Sequence, residues 1–499
     1  MSNVVYLKFQ ITFMKKITTL LLLICALITN AQTYNLEQIT TIEDQNYEDP
    51  KCLIEFKDNL FFTVTKIAGG KGIVELAKIS SDNTFSTVTQ LYSTDHGHIS
   101  NYEPAMAVSG ERLFVIKYDA DGKGLWHSTD GINFQKIMDP YAGLNGKNID
   151  NLYATPDYLY YTAQTESNGM ELFSCKSSSV NVKCLHIISG ALPAKTGKPH
   201  MYNNNLYFSV LDASHGNELW SYNESDGAGI VADHVPGDGD FNPRDLIVYD
   251  NKLFFTAQTA ATGSELYSYN GSTISLEKNI KDGDSDSEPS NKIVIDNRLY
   301  FAAINNGGST QLYELFENNL TEFDFPGPGN VSPDFLIEFD NRLFGSGFMR
   351  STGREVFYLQ NQSPEMIDID TRSSFLGGQN SDPEYLTVFN NALYCIAEKE
   401  DDHNIFKITK NGATAINTTE SHTAFNITPN PATSQFTITS SDNQIEGNVQ
   451  IFDLSGKIVL EQHVGTGNET INVDRLQPGL YIVSYRSGSQ NFTHKLRVK

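Results

Sequence analysis

Basic residues are scarce in this chain: 36 Lys and Arg stand against 60 Asp and Glu, for a formal charge of −24 over 499 residues. Such a balance excludes a sequence-independent grip on nucleic-acid phosphates. Five cysteines and eleven scattered histidines supply no zinc-type Cys/His cluster, and the one close histidine pair, His96 and His98, reads as a solvated loop. Long apolar runs are absent beyond the first thirty residues, so no internal membrane span is expected. Helical periodicity is missing throughout. There is no Gly-x-Ser-x-Gly elbow, no His-Glu-x-x-His and no glycine loop of the phosphate-binding type. What is present is 39% apolar and 11% aromatic residues, enough for packed cores and too much for a disordered chain.

The N-terminal run has the order of a secretory signal peptide. Met14-Lys15-Lys16 is basic, Ile17 to Ile28 is nearly all apolar, and Thr29-Asn30-Ala31 offers small residues before a cleavage point. Ile24 is too bulky to precede a lipidated Cys25. Residues 1–31 are therefore expected to be a signal peptide. The mature chain would carry 33 basic and 60 acidic residues and keep Cys52, Cys175, Cys184 and Cys395. Cys175 and Cys184 flank a polar turn; a bridge across a hairpin and two buried thiols are both open readings.

Self-comparison reveals a period near 47. One leucine recurs at Leu60, Leu113, Leu159, Leu206, Leu253, Leu299, Leu343 and Leu393, marking eight units. A proline precedes it by ten residues at Pro50, Pro243, Pro289, Pro333 and Pro383. A glutamate follows it by twelve at Glu171, Glu218, Glu265 and Glu355, with Gln311 in the same slot. Each unit holds about four strand-like runs, in the fifth Leu246–Tyr249, Leu253–Ala257, Glu265–Tyr269 and Ile274–Lys278. Four strands per repeat of this length is the sequence form of a β-propeller blade, so the chain is predicted to be all-β, with a propeller over 32–417, most simply of eight blades. Closure is open between two segments, Tyr34–Thr41 and Ala413–Thr418, either of which could complete the last blade. The units resemble the Glu-Leu-Trp type repeats of secreted bacterial propeller proteins, most closely at Glu218-Leu219-Trp220.

After a polar link over 418–425 the composition changes: residues 426–499 hold six basic and six acidic residues, so the propeller carries the whole charge imbalance. Pro429-Asn430-Pro431, strand-like Gln435–Thr439 and Val449–Asp453, the turn Asp453-Leu454-Ser455-Gly456-Lys457, and the run Pro478-Gly479-Leu480-Tyr481 follow in order. A basic tail from Lys495 closes the segment. Physically this reads as a small antiparallel, immunoglobulin-like β-sandwich. The ordered motifs closely resemble the type A C-terminal sorting domain of the type IX secretion system. That resemblance implies Pro429, Asn430, Pro431, Asp453, Gly456, Lys457, Gly479, Tyr481 and Lys495 as parts of a sorting signal. It also implies passage through the periplasm of a Gram-negative bacterium, the secretion machinery as partner, and removal of the domain on surface anchoring or release.

Two candidate chemistries remain in the propeller. A carboxylate repeated in most blades is expected to hold backbone amides, since a catalytic acid must be singular in its surroundings. The loops Asp238-Gly239-Asp240-Phe241-Asn242 and Asp282-Gly283-Asp284-Ser285-Asp286 place oxygens at alternating positions, as a hard-cation loop requires, which makes calcium the candidate cofactor. Neither loop has the EF-hand glycine at position six. The expected function is a secreted or surface-displayed binding or adhesion module for an extracellular carbohydrate or protein. The rivals are a polysaccharide hydrolase or lyase, which would need a unique acid cluster on one channel face, and a passive envelope component.

Overall fold

The computed structural model describes residues 34–411 and 425–498 apart from 40–46, 95–104, 121, 138–148, 166–168, 186, 188–197, 326–329, 375–376, 401, 429–431, 433, 441–446, 453–457, 465–468, 478 and 488–489. The expected signal peptide, most of the link and the turn at 453–457 lie outside the described residues. The chain divides into two units, Met1–Gly412 and Ala413–Lys499. Among the described residues no helix is long and apolar enough to cross a membrane.

Alternating apolar residues and left-handed turn dipeptides build the first unit. In the fifth blade the strands Arg244–Tyr249, Lys252–Thr259, Gly263–Tyr269 and Ile274–Lys278 pair antiparallel in sequence order. Asp250 and Asn251, both at positive φ, make the two-residue hairpin turn between the first two of them. Asn203-Asn204, Asp296-Asn297, Asp340-Asn341 and Asn390-Asn391 repeat that device, because Asn and Asp tolerate the left-handed conformation that such a turn demands.

Eight four-stranded antiparallel sheets result, one per repeat unit, consistent with an eight-bladed propeller. The last blade consists of Glu384–Phe389, Ala392–Lys399 and Asp402–Lys410, and its fourth strand is Tyr34–Ile39 from the other end of the unit. This resolves the closure: the N-terminal segment completes the last blade, with Tyr34 opposite Lys410 and Ile39 opposite Ile405. The Tyr34 hydroxyl donates to Asp340 Oδ2 at 2.9 Å and accepts from Arg342 Nη1 at 3.0 Å, fastening the strand to the seventh blade.

Apolar packing runs all the way round. Among the described residues, eight buried clusters each draw on two neighbouring blades. The cluster between the eighth and first blades joins Tyr394, Ile396 and Ile405 to Leu60, Phe62 and Ile39. A ring closed in this way leaves no blade with a bare face.

The second unit has two sheets. One orders Phe425–Thr428, Gln435–Ser440 and Glu469–Asn472; the other orders Ile458–Val464, Gly447–Phe452, Gly479–Ser487 and Gln490–Val498. Phe436, Ile438 and Ile471 of the first share one core with Val449, Ile451, Val483 and Leu496 of the second.

Candidate functional site

In the fourth, fifth and seventh blades the recurring glutamate and proline belong to one hydrogen-bonded device that ties the blade to the loop leading into the next. In the fourth blade Gly216-Asn217-Glu218 opens the third strand. The Asn217 N–H donates to Asp240 Oδ1 at 2.8 Å, and its carbonyl accepts from the N–H groups of Phe241 and Asn242. Glu218 Oε1 accepts the Val235 N–H at 2.9 Å. The same arrangement recurs around Ser264 with Asp286, Thr310 with Asn330, and Arg354 with Asn380. Gly216 is required at positive φ, where a Cβ would run into the carbonyl of Gly239. A left-handed residue, Asn242, Glu288, Ser332 or Asp382, then precedes each proline.

The slot glutamates therefore act on the backbone. Glu171 accepts from Ile187 N at 3.1 Å, Glu265 from Ile280 N at 2.7 Å, and Glu355 from Ile369 N at 2.9 Å and from the Ser381 hydroxyl. All four side chains are buried. Burial raises the Glu218 carboxyl to about 7 and that of Glu355 to about 8, against partial relief from backbone amides at Glu218 and from the Ser381 hydroxyl and the Ile369 amide at Glu355.

The proposed cation loops are divided by the same device. Asp240, Asn242 and Asp286 each accept a hydrogen bond from the preceding blade: Asp240 and Asp286 from backbone N–H groups, Asn242 from Asn217 Nδ2 at 2.8 Å. Asp282 pairs with Asn306 Nδ2 at 3.0 Å. Asp238 and Asp284 are exposed. Among the described residues no group of three or more His, Cys, Asp or Glu side chains is arranged to hold a metal ion.

Cys175 and Cys184 are both buried and unbridged, because the register sets Cys175 opposite Val182 and Cys184 opposite Phe173. Of the sorting-motif residues, Pro429, Asn430, Pro431, Asp453, Gly456 and Lys457 lie outside the described residues. Gly479 and Tyr481 begin a strand, with the Tyr481 hydroxyl donating to Gln477 O at 2.8 Å, and Lys495 pairs in register with Ile482.

A cavity that sequence reasoning did not single out lies between the third and fourth blades, with a volume of about 310 Å³. It opens among turns that join first to second and third to fourth strands: Thr155, Pro156 and Asp157, then Asn204, Asn223 and Glu224. Tyr158, Tyr160 and Tyr222 form its aromatic wall. Tyr158 and Tyr160, two apart on one strand, stack at 5.9 Å between ring centroids, and Tyr160 stacks on Tyr153 at 6.4 Å. Burial pushes the Tyr160 hydroxyl up to about 12. At the rim Lys183 Nζ donates to the Tyr222 hydroxyl at 2.9 Å and to Glu224 at 2.5 Å, which lowers the Glu224 carboxyl.

This seam departs from the repeat. The slot just before the recurring leucine holds Asn59, Arg112, Asn205, Lys252, Arg298, Arg342 and Ala392 elsewhere, and an aromatic residue only at Tyr158. Six positions before the leucine, the other blades carry Ile54, Ala107, Ile247, Ile293, Ile337 and Thr387. The third and fourth carry Tyr153 and His200, whose rings lie 5.6 Å apart. The usual two-residue turn is also replaced by Thr155-Pro156-Asp157, closed by the Thr155 N–H on Tyr158 O at 2.8 Å. Slot-by-slot comparison of the units was the signal that could have found it.

Comparison with known proteins bears mainly on the C-terminal unit. No curated protein shows significant similarity to the chain. Among solved structures, PorZ, a surface component of the type IX secretion system of Porphyromonas gingivalis, is 13% identical with a TM-score of 0.39. That alignment covers 90% of this chain and 69% of PorZ. The β-propeller domain of the Trilobed protease from Pyrococcus furiosus is 13% identical with a TM-score of 0.41, over 65% of this chain and all of that domain. A puromycin-hydrolyzing peptidase from Mycobacterium tuberculosis is 10% identical with a TM-score of 0.45, over 72% of this chain and 59% of the peptidase. Likenesses this loose say nothing about activity. Residues 426–499, however, match the Secretion system C-terminal sorting domain family. The chain thus carries a type IX C-terminal sorting domain behind a β-propeller, and its place is the cell surface or the medium of a Gram-negative bacterium.

Proposed function

We propose that the chain is a secreted or surface-displayed binding module, in which the sorting domain supplies export and the propeller holds a ligand at the seam of the third and fourth blades. The observation that carries this reading is the departure of that seam from the repeat. Seven blades place a polar or small residue where Tyr158 stands, so the fold does not require an aromatic there. An aromatic-walled cavity with a polar rim is the usual form of a ligand site. The hydrolase reading is less well supported, since the repeated carboxylates are buried and engaged with backbone amides. In this reading residues 1–31 are removed on export, 32–417 form the propeller, 418–425 link it to a type A sorting domain at 426–499, and that domain leaves on anchoring or release. Calcium at the acidic loops is a separate proposal resting on exposed Asp238 and Asp284; the unfolding midpoint in millimolar calcium against chelator tests it.

The test of the delivery half is truncation. A chain lacking residues 426–499 should fold as a propeller and collect in the periplasm, while the full chain reaches the surface. Fractionation with surface proteolysis reads this out, and normal display of the truncated chain would refute it.

A further inference from the structure

We infer that the cavity between the third and fourth blades takes a neutral saccharide, one or two sugar units at the end of a glycan. The inference rests on the binding reading above and adds the ligand class. At about 310 Å³ the cavity lies at the small end of ligand sites, which suits a terminal unit better than a long chain segment.

The wall chemistry matches a sugar ring. A pyranose has one face of C–H groups and a rim of hydroxyls. Tyrosine is its complement, with an apolar ring and a polar tip. Tyr158 and Tyr160 present two stacked rings on one strand, and Asn204 at the tip of its hairpin turn supplies both a donor and an acceptor. Sugar hydroxyls need both kinds of partner, and exposed Asp157 and Glu224 add acceptors.

Charge chooses between neutral and acidic sugars. None of the lining residues is basic, and Lys183, which reaches two of them, is already held by Glu224 and Tyr222. Asp157 and Glu224 stand at the mouth of a propeller segment in which acids outnumber bases two to one, so a uronate or phosphate would approach against the field. The rim is also set before a ligand arrives. Asn223 Oδ1 accepts the N–H groups of Ser225 and Asp226 at 2.9 and 2.8 Å, and Asn223 Nδ2 donates to Asn205 Oδ1 at 3.0 Å. A rim fixed in this way loses little freedom on binding.

The experiment uses the purified full chain, titrated by calorimetry with maltose, cellobiose, laminaribiose and diacetylchitobiose, and with digalacturonate as the acidic comparator. At least one neutral disaccharide should bind, and digalacturonate should bind at least about tenfold more weakly. Tyr158→Asn, which installs the residue of the fourth and first blades, should weaken binding about tenfold or more with the unfolding midpoint little changed. Asn204→Gly keeps the left-handed turn and should weaken binding without threatening the fold. Saturation by no neutral disaccharide, preference for digalacturonate, or binding indifferent to both substitutions would overturn the saccharide assignment. Adherence of cells displaying the chain separates the two levels. If sugars fail but Tyr158→Asn still abolishes adherence, the binding reading stands with another ligand class. If the substitution changes neither, both fall.

Discussion

The seam between the fifth and sixth blades and the seam between the third and fourth are built from the same repeat and end differently. At the first, Gly263-Ser264-Glu265 meets Asp286-Ser287-Glu288-Pro289: the Ser264 N–H finds Asp286, the Ser287 and Glu288 N–H groups find the Ser264 carbonyl, and the Ser287 hydroxyl finds Glu265. It even absorbs an intruder. Lys292 stands where most blades have leucine, with its side chain fully buried. Its three donors go to Asp245 Oδ2, Thr256 Oγ1 and Pro289 O at 3.0, 2.7 and 2.8 Å. A buried ammonium satisfied on every side is structural, although burial lowers its affinity for a proton. At the other seam the substituted residues are aromatic, and a cavity opens beside them. A departure that the surroundings fully satisfy belongs to the fold; one that leaves a lined space is where we propose that a partner fits.

The sharpest way to break the comparison is to open the ring itself. Tyr34 is almost fully buried in the cluster that joins the seventh and eighth blades. Tyr34→Ala should cost about 3–5 kcal/mol, as for other large-to-small changes of aromatic core residues. Removal of residues 34–39 should abolish the cooperative transition, because the strand Asp402–Lys410 is left as a bare edge. Chemical denaturation and size-exclusion chromatography check both; a monomeric, cooperative truncation would show that the ring closes some other way.

Next in size are the carboxylates of the regular seams. Glu355→Ala orphans the Ile369 N–H, leaves the Ser381 hydroxyl only its long bond to the Arg354 carbonyl, and should cost about 1–3 kcal/mol. Glu355→Gln should cost much less, since the sixth blade already carries Gln311 in this slot. The sign of the pH effect follows from burial. The folded carboxyls are raised to about 7 and about 8, above the ordinary glutamate value. Their contribution is full below the unfolded value and is lost as pH rises through 7 to 8. The unfolding midpoint should therefore fall between pH 5 and pH 8 and level off above, and Glu355→Gln should flatten that slope. A midpoint that rises over this range would reverse the assignment of burial as the dominant influence.

The smallest effect separates cap from cation ligand. Asp240→Asn keeps the acceptor for the Asn217 N–H, as Asn330 and Asn380 do in the same place, and should leave stability within about 0.5 kcal/mol. Asp240→Ala should cost about 0.5–1.5 kcal/mol. Parallel melts with and without calcium show whether the carboxylate has any use beyond the cap.

Most of the fold was legible because its causes are local. Alternation, the Asn and Asp turn dipeptides and the recurring leucine act over a few residues, so the fifth-blade strands agree with the reading to within three residues at either end. The structural role expected for the glutamate slot also holds, because a repeated residue answers a repeated need. Less of the candidate site could be read. The backbone hydrogen bonds that Asp240 and Asp286 accept come from Asn217 and Ser264, more than twenty residues earlier on another blade, where no local pattern records them.

The period, the four strands per unit, the change of composition after the propeller and the likeness of residues 426–499 to a sorting domain were all legible in the chain, carried by residues close together in it. The folded chain was needed to show which end closes the ring, that Cys175 and Cys184 face different neighbours, and that Tyr158, Tyr160, Asn204 and Tyr222 border one cavity. The reason is physical: strand and turn preferences are set within one blade, whereas closure and cavities arise where side chains from different blades meet, and no spacing along the chain records that meeting.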